Sequence, residues 1–113
     1  MYEYRAKVAS VHDGDTLRLD IDCGFNVWLH RVPCRLLGVD APELGTPEGR
    51  AARDWLRAWL PVGANIIVRT HLDEADKYGR WLADISQGPA DITTVNQRLI
   101  DAGHARPYDG GKR

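Results

Sequence analysis

The sequence contains no long apolar run. Its hydrophobic stretches are short and broken by charges, so no segment reads as a membrane span. Met-Tyr-Glu-Tyr-Arg at the start has no apolar h-region; no secretory signal is read there, and a cytoplasmic site, bacterial or phage-encoded, is favoured over secretion. Cysteine is scarce. Cys23 and Cys34 are too few for a disulfide framework, and with His30 they match no common zinc spacing. They read as small half-buried hydrophobes in adjacent strand-like segments. His12, His30, His71 and His104 are scattered, with no pair at metal spacing, which argues against histidine-based chemistry. Nor is there a basic excess: 15 Lys and Arg stand against 16 Asp and Glu, for a net charge of −1. Domains that live by non-specific duplex binding are usually basic. Any contact with nucleic acid must therefore be local, a basic rim around an acidic pocket. No repeat, linker or low-complexity segment interrupts the 113 residues, which fit one compact domain, 1–113.

What is present reads as strands, a helix, strands, a helix. Tyr4 to Val11 is a strand, and Asp13-Gly14 is a hairpin-turn signal. Thr16 to Asp22 alternates, with Leu17, Leu19 and Ile21 on one face. Asn26 to Val39 is a longer extended stretch, with Pro33 marking an irregularity or an edge. Thr46-Pro47-Glu48 opens a helix, with a capping Thr, Pro at the first helical position and an acid in the first turn. Its apolar face is Ala52, Trp55, Leu56, Trp59 and Leu60, and both tryptophans are expected in the core. Asn65 to Thr70 and Trp81 to Ser86 are the fourth and fifth strands. Thr94-Val-Asn-Gln97 is a capping box opening a short helix that Gly103 ends. The expected fold is mainly β with helices (α+β): a five-stranded OB-fold barrel with a helix between strands 3 and 4 and a C-terminal helix.

Three clusters carry chemistry. Asp13-Gly14-Asp15-Thr16 puts two carboxylates and a hydroxyl on a glycine-containing turn, which suits a hard cation. Arg35-Leu-Leu-Gly-Val-Asp40-Ala-Pro-Glu43 is a strand with one arginine followed by a turn with two carboxylates. Arg35 and Asp40 are five positions apart, so a regular strand would point them to opposite faces. They share a site only where the chain breaks its alternation, and Gly38 is the expected place. Asp76-Lys77-Tyr78-Gly79-Arg80 is a polar connection that suits a phosphate or a base. Each cluster alone reads as ordinary surface. Together they supply what phosphodiester cleavage needs: a carboxylate base, and arginines with a metal for the charge that builds on phosphorus.

Asp-Gly-Asp-Thr, Arg-Leu-Leu-Gly-Val-Asp-Ala-Pro-Glu and Asp-Lys-Tyr-Gly-Arg, in this order, resemble the staphylococcal nuclease (thermonuclease) family. Thr-Val-Asn at the last helix and Ala-Gly-His-Ala after it also look like that family, so the resemblance runs from about Val8 to Tyr108. It implies an OB barrel and calcium-dependent hydrolysis of DNA and RNA with little sequence preference, single strands preferred, leaving 3′-phosphate ends. It further implies one Ca2+ held by Asp15, Asp40 and the backbone carbonyl of Ala41, with Asp13 and Thr16 around it. Glu43 would activate the attacking water, and Arg35 and Arg80 would bind phosphate. Lys77, Tyr78 and Tyr108 would contact the substrate. The chain is expected to act as a monomer without a membrane. The competing expectation is an inactive nuclease-like barrel that binds single-stranded nucleic acid or a protein partner.

Overall fold

The computed structural model describes residues 2–72 and 80–108. In chain order its elements are β1 (Tyr2–Val11), β2 (Thr16–Asp22), β3 (Trp28–Leu36), β4 (Val39–Asp40), α1 (Pro47–Trp59), β5 (Asn65–Leu72), β6 (Trp81–Ser86), α2 (Val95–Asp101) and β7 (Arg106–Pro107). Five strands close a barrel in the order β1-β2-β3-β6-β5, while β4 and β7 form a separate two-stranded pair. All barrel pairings are antiparallel except β3 with β6. This is the OB-fold arrangement, as expected.

Strand alternation fills the barrel. Leu17, Leu19 and Ile21 of β2 point inward with Ile66 and Val68 of β5 and Ala83 and Ile85 of β6. In β1, Ala6, Val8 and Val11 are all buried despite the odd spacing of the last two, because the register slips between Val8 and Ser10. Leu56 and Leu60 from the α1 end, with Val95 and Leu99 of α2, complete the core. Thr46 caps α1 by accepting from the Gly49 N–H at 3.0 Å, and Thr94 caps α2 by accepting from the Gln97 N–H at 3.1 Å. Among the described residues no helix is long and apolar enough to cross a membrane.

Several local expectations need correction. The third strand ends at Leu36, not Val39: the chain turns at Leu37-Gly38, and Val39-Asp40 leaves the barrel to pair with β7. The irregularity near Pro33 sits at Arg31, whose φ is +56° and whose N–H donates to Asp20 Oδ1 at 2.8 Å. Cys23 is exposed and Cys34 fully buried, at opposite ends of the β2–β3 pair, since Cys34 faces Leu17 while Cys23 follows the Asp22–Trp28 rung. Trp55 and Trp59 are half-buried flanks of the core; their rings pack against each other at 5.5 Å. The capping box at α2 is half made, because the Gln97 side chain donates forward to Asp101 at 2.9 Å. Gly14 has no positive φ; it is there for close approach, as a Cβ would stand 2.7 Å from Ala41 Cβ and 2.8 Å from Ala52 Cβ.

Candidate active site

The site forms where β3 leaves the barrel. Arg35 sits between two partners, facing Thr16 of β2 on one side and Leu82 of β6 on the other. Its neighbours Cys34 and Leu36 are both fully buried, and Leu36 and Cys34 share the inner face, so alternation turns Arg35 outward. It is nevertheless only 5% exposed. Two carboxylates and a ring cover it.

The first carboxylate comes from the loop before β2. The Asp13 carboxylate accepts from the Asp15 N–H at 3.0 Å, which shapes the turn, and the Leu36 N–H donates to the Asp15 carbonyl at 2.8 Å, which ties the loop to the end of β3. Asp15 is then 8% exposed. Its Oδ1 accepts from the Thr16 hydroxyl at 3.1 Å and its Oδ2 from the Ala41 N–H at 3.1 Å. Burial pushes the Asp15 carboxyl up to about 6, with the neighbouring Asp13 adding to the rise and the Ala41 and Thr16 donors opposing it.

The second carboxylate comes through the Gly38 turn. Gly38 has a φ of +76°, a conformation other residues rarely adopt, and its carbonyl accepts from the Tyr108 N–H at 2.8 Å. That reversal carries Asp40 back over Arg35. Arg35 Nη2 lies 3.5 Å from Asp15 Oδ2 and 3.6 Å from Asp40 Oδ1. It is buried yet makes no hydrogen bond among the described residues, straddling the two acids. The β4–β7 pairing sets Asp40 against Arg106 and brings Tyr108 onto Arg35, ring centroid 5.1 Å from the guanidinium carbon.

Glu43 is exposed. Its backbone carbonyl accepts from the Thr46 N–H at 3.0 Å and hydroxyl at 2.7 Å, which pins the short loop to the start of α1. With Asp40, Ala41, Glu48, His104 and Arg106 it lines a cleft of about 590 Å³. Arg80 is half-buried and immediately precedes Trp81, which faces Cys34 across the β3–β6 pair. Lys77 and Tyr78 lie outside the described residues. Arg106 and β7 were not expected in the site: a two-residue strand shows no alternation to read.

Among the described residues no three His, Cys, Asp or Glu side chains converge to hold a metal. The oxygens of Asp15, Asp40 and the Ala41 main chain nonetheless suit a hard cation in kind, and such ions routinely complete their shell with water. The buried Nη2 between the two acids, which makes no hydrogen bond among the described residues, is a donor left open to an oxygen acceptor.

Comparison with known proteins adds to this geometry. A family model described as staphylococcal nuclease homologue matches residues 33–112. The chain is 32% identical to "Endonuclease YhcR" of Bacillus subtilis, over 94% of this chain and 9% of that protein. It is 36% identical to "Probable endonuclease LCL3" of Uncinocarpus reesii, over 70% of this chain and 32% of that protein. Against "Micrococcal nuclease" of Shigella flexneri it is 33% identical, over 94% of this chain and 59% of that protein. It thus spans less than two thirds of the length of each of these relatives.

Proposed function

The chain belongs to the staphylococcal nuclease homologue family, and from that premise we propose that it is a calcium-dependent nuclease hydrolysing DNA and RNA, single strands preferred, to 3′-phosphate ends. The observation that carries the reading is Arg35, buried between the carboxylates of Asp15 and Asp40 at 3.5 and 3.6 Å. A guanidinium beside two acids, one of which lines the cleft, suits a phosphodiester bound and polarised at one point.

In this reading Asp15, Asp40 and the carbonyl of Ala41 hold one Ca2+, with Asp13 and Thr16 fixing Asp15 from behind. The bound ion supplies charge neutralisation and Lewis-acid polarisation of the phosphate. Arg35 and Arg80 grip the non-bridging oxygens and stabilise the charge that grows as phosphorus becomes five-coordinate. Glu43, exposed at the cleft, takes a proton from the attacking water, whose oxygen bonds to phosphorus. The P–O5′ bond breaks, the 5′ oxygen takes a proton from solvent water and leaves as a hydroxyl, and the phosphate stays on the 3′ side. Lys77 and Tyr78 contact the nucleotide at the entrance. The chain does this as a monomer.

Digestion of single-stranded DNA and of RNA in calcium, in magnesium and in chelator tests the proposal, with end-group analysis of the products. Cleavage in calcium that chelator abolishes, leaving 3′-phosphates, is expected. Tight strand binding without cleavage in calcium would replace it with the inactive, nucleic-acid-binding reading.

A further inference from the structure

We propose that Tyr108 is a positioning residue for Arg35: its ring holds the guanidinium at the place from which the fork meets phosphate. This rests on the nuclease reading above, in which the family resemblance makes Tyr108 a substrate contact. Its place in the fold points elsewhere. The Arg35 guanidinium carbon lies over the face of the Tyr108 ring, 5.1 Å from its centroid. That placement is set by backbone. Val39 pairs with Pro107, Asp40 with Arg106, and the Tyr108 N–H donates to the Gly38 carbonyl at 2.8 Å. The same turn that returns Asp40 to the site therefore also anchors the ring.

Arg35 needs such a brace. Its Nη2 is buried with no hydrogen bond among the described residues, and the acids beside it stand at 3.5 and 3.6 Å, beyond good hydrogen-bond length. Ion pairs at that range hold a charge only loosely. A planar fork recognises two phosphate oxygens only when its plane is right, and small errors of placement cost rate steeply. A ring packed against the cation restricts where the fork can move.

Two readouts test the inference. The first is the Arg35 Nε–Hε resonance of the 15N-labelled protein. Ring current displaces it in the parent and in Tyr108→Phe, and in Tyr108→Leu it moves towards the free-arginine position. The second is steady-state cleavage of single-stranded DNA in calcium. Tyr108→Leu lowers kcat by about threefold to thirtyfold, the range of one cation–π contact, with KM changed by less than about twofold. Tyr108→Phe recovers most of that loss. A rise in KM with kcat retained identifies Tyr108 as a substrate contact and overturns the inference. So does a Phe variant as slow as Leu, or an Arg35 resonance that Tyr108→Leu leaves in place. A parent that does not cleave removes the nuclease reading alone, since the resonance still decides whether Tyr108 holds the guanidinium.

Discussion

Arg35 and Asp40 come within 3.6 Å of each other although a regular strand would set them on opposite faces. Gly38 is what makes the encounter possible. Its positive φ reverses the chain directly after β3, and α2 and β7 hold the reversal from either side. Asn96 Nδ2 donates to the Leu37 carbonyl at 2.9 Å, and the Tyr108 N–H donates to the Gly38 carbonyl. The site is therefore a property of a braced turn as much as of its charged residues.

Asn96 is the first place to test that brace. It is 4% exposed and makes three bonds, accepting from the Ile85 N–H at 3.0 Å and donating to the Leu37 and Ala83 carbonyls at 2.9 Å each. Asn96→Ala strips partners from buried backbone groups and costs about 2–4 kcal/mol in urea unfolding. Asn96→Asp costs more, because a carboxylate then faces two carbonyls it cannot donate to. A loss under about 0.5 kcal/mol for Asn96→Ala, within the range of ordinary surface changes, contradicts the bracing role.

Gly14 separates packing from conformation. In Gly14→Ala the new methyl collides with Ala41 and Ala52, costing about 1–3 kcal/mol and shifting Ala41, one of the proposed calcium ligands. Gly63→Ala is the control. Its strain comes from a φ of +85°, with nothing among the described residues within 4 Å of the new methyl, so stability falls and calcium affinity holds. Thermal melts with calcium titrations distinguish the two; equal calcium affinity in both variants counts against Ala41 as a ligand.

Asp15 gives the metal-free protein a signature in pH. Its carboxyl is raised to about 6 from an ordinary 3.8, chiefly by burial. Between those values the folded state holds more protons than the unfolded chain, so this group's contribution to stability falls as pH rises from about 4 to 6. Asp15→Asn cannot titrate. Measured in chelator, the stability of the variant minus that of the parent should grow by up to about 3 kcal/mol between pH 4 and pH 7. A difference flat across that window removes burial of Asp15 as the cause.

Much of this was legible in the residues themselves. The alternation of Leu17, Leu19 and Ile21 announces β2, the spacing of Ala52, Leu56 and Leu60 announces the buried side of α1, and Thr46 and Thr94 mark both helix starts. Parity between Arg35 and Asp40 already demands a break at Gly38. Long-range partnership is what periodicity cannot reveal. Arg106-Pro107 is a strand only because Val39-Asp40 is there to pair with it. Cys23 and Cys34 read alike in neighbouring segments, yet register sends them to opposite ends of one hairpin. Gly14 looks like a turn residue and proves to be a packing residue, because its constraint comes from Ala41 and Ala52, far along the chain.

The most direct measurement is the single-turnover rate of single-stranded DNA cleavage in saturating calcium, parent against Arg35→Ala, with Arg35→Lys alongside and folding verified by urea unfolding. Removing a preorganised phosphate donor should cost about 10²–10³-fold, with Lys rescuing little because a point charge does not fork onto two oxygens. Folded Arg35→Ala that cleaves at the parent rate would contradict the account at its centre.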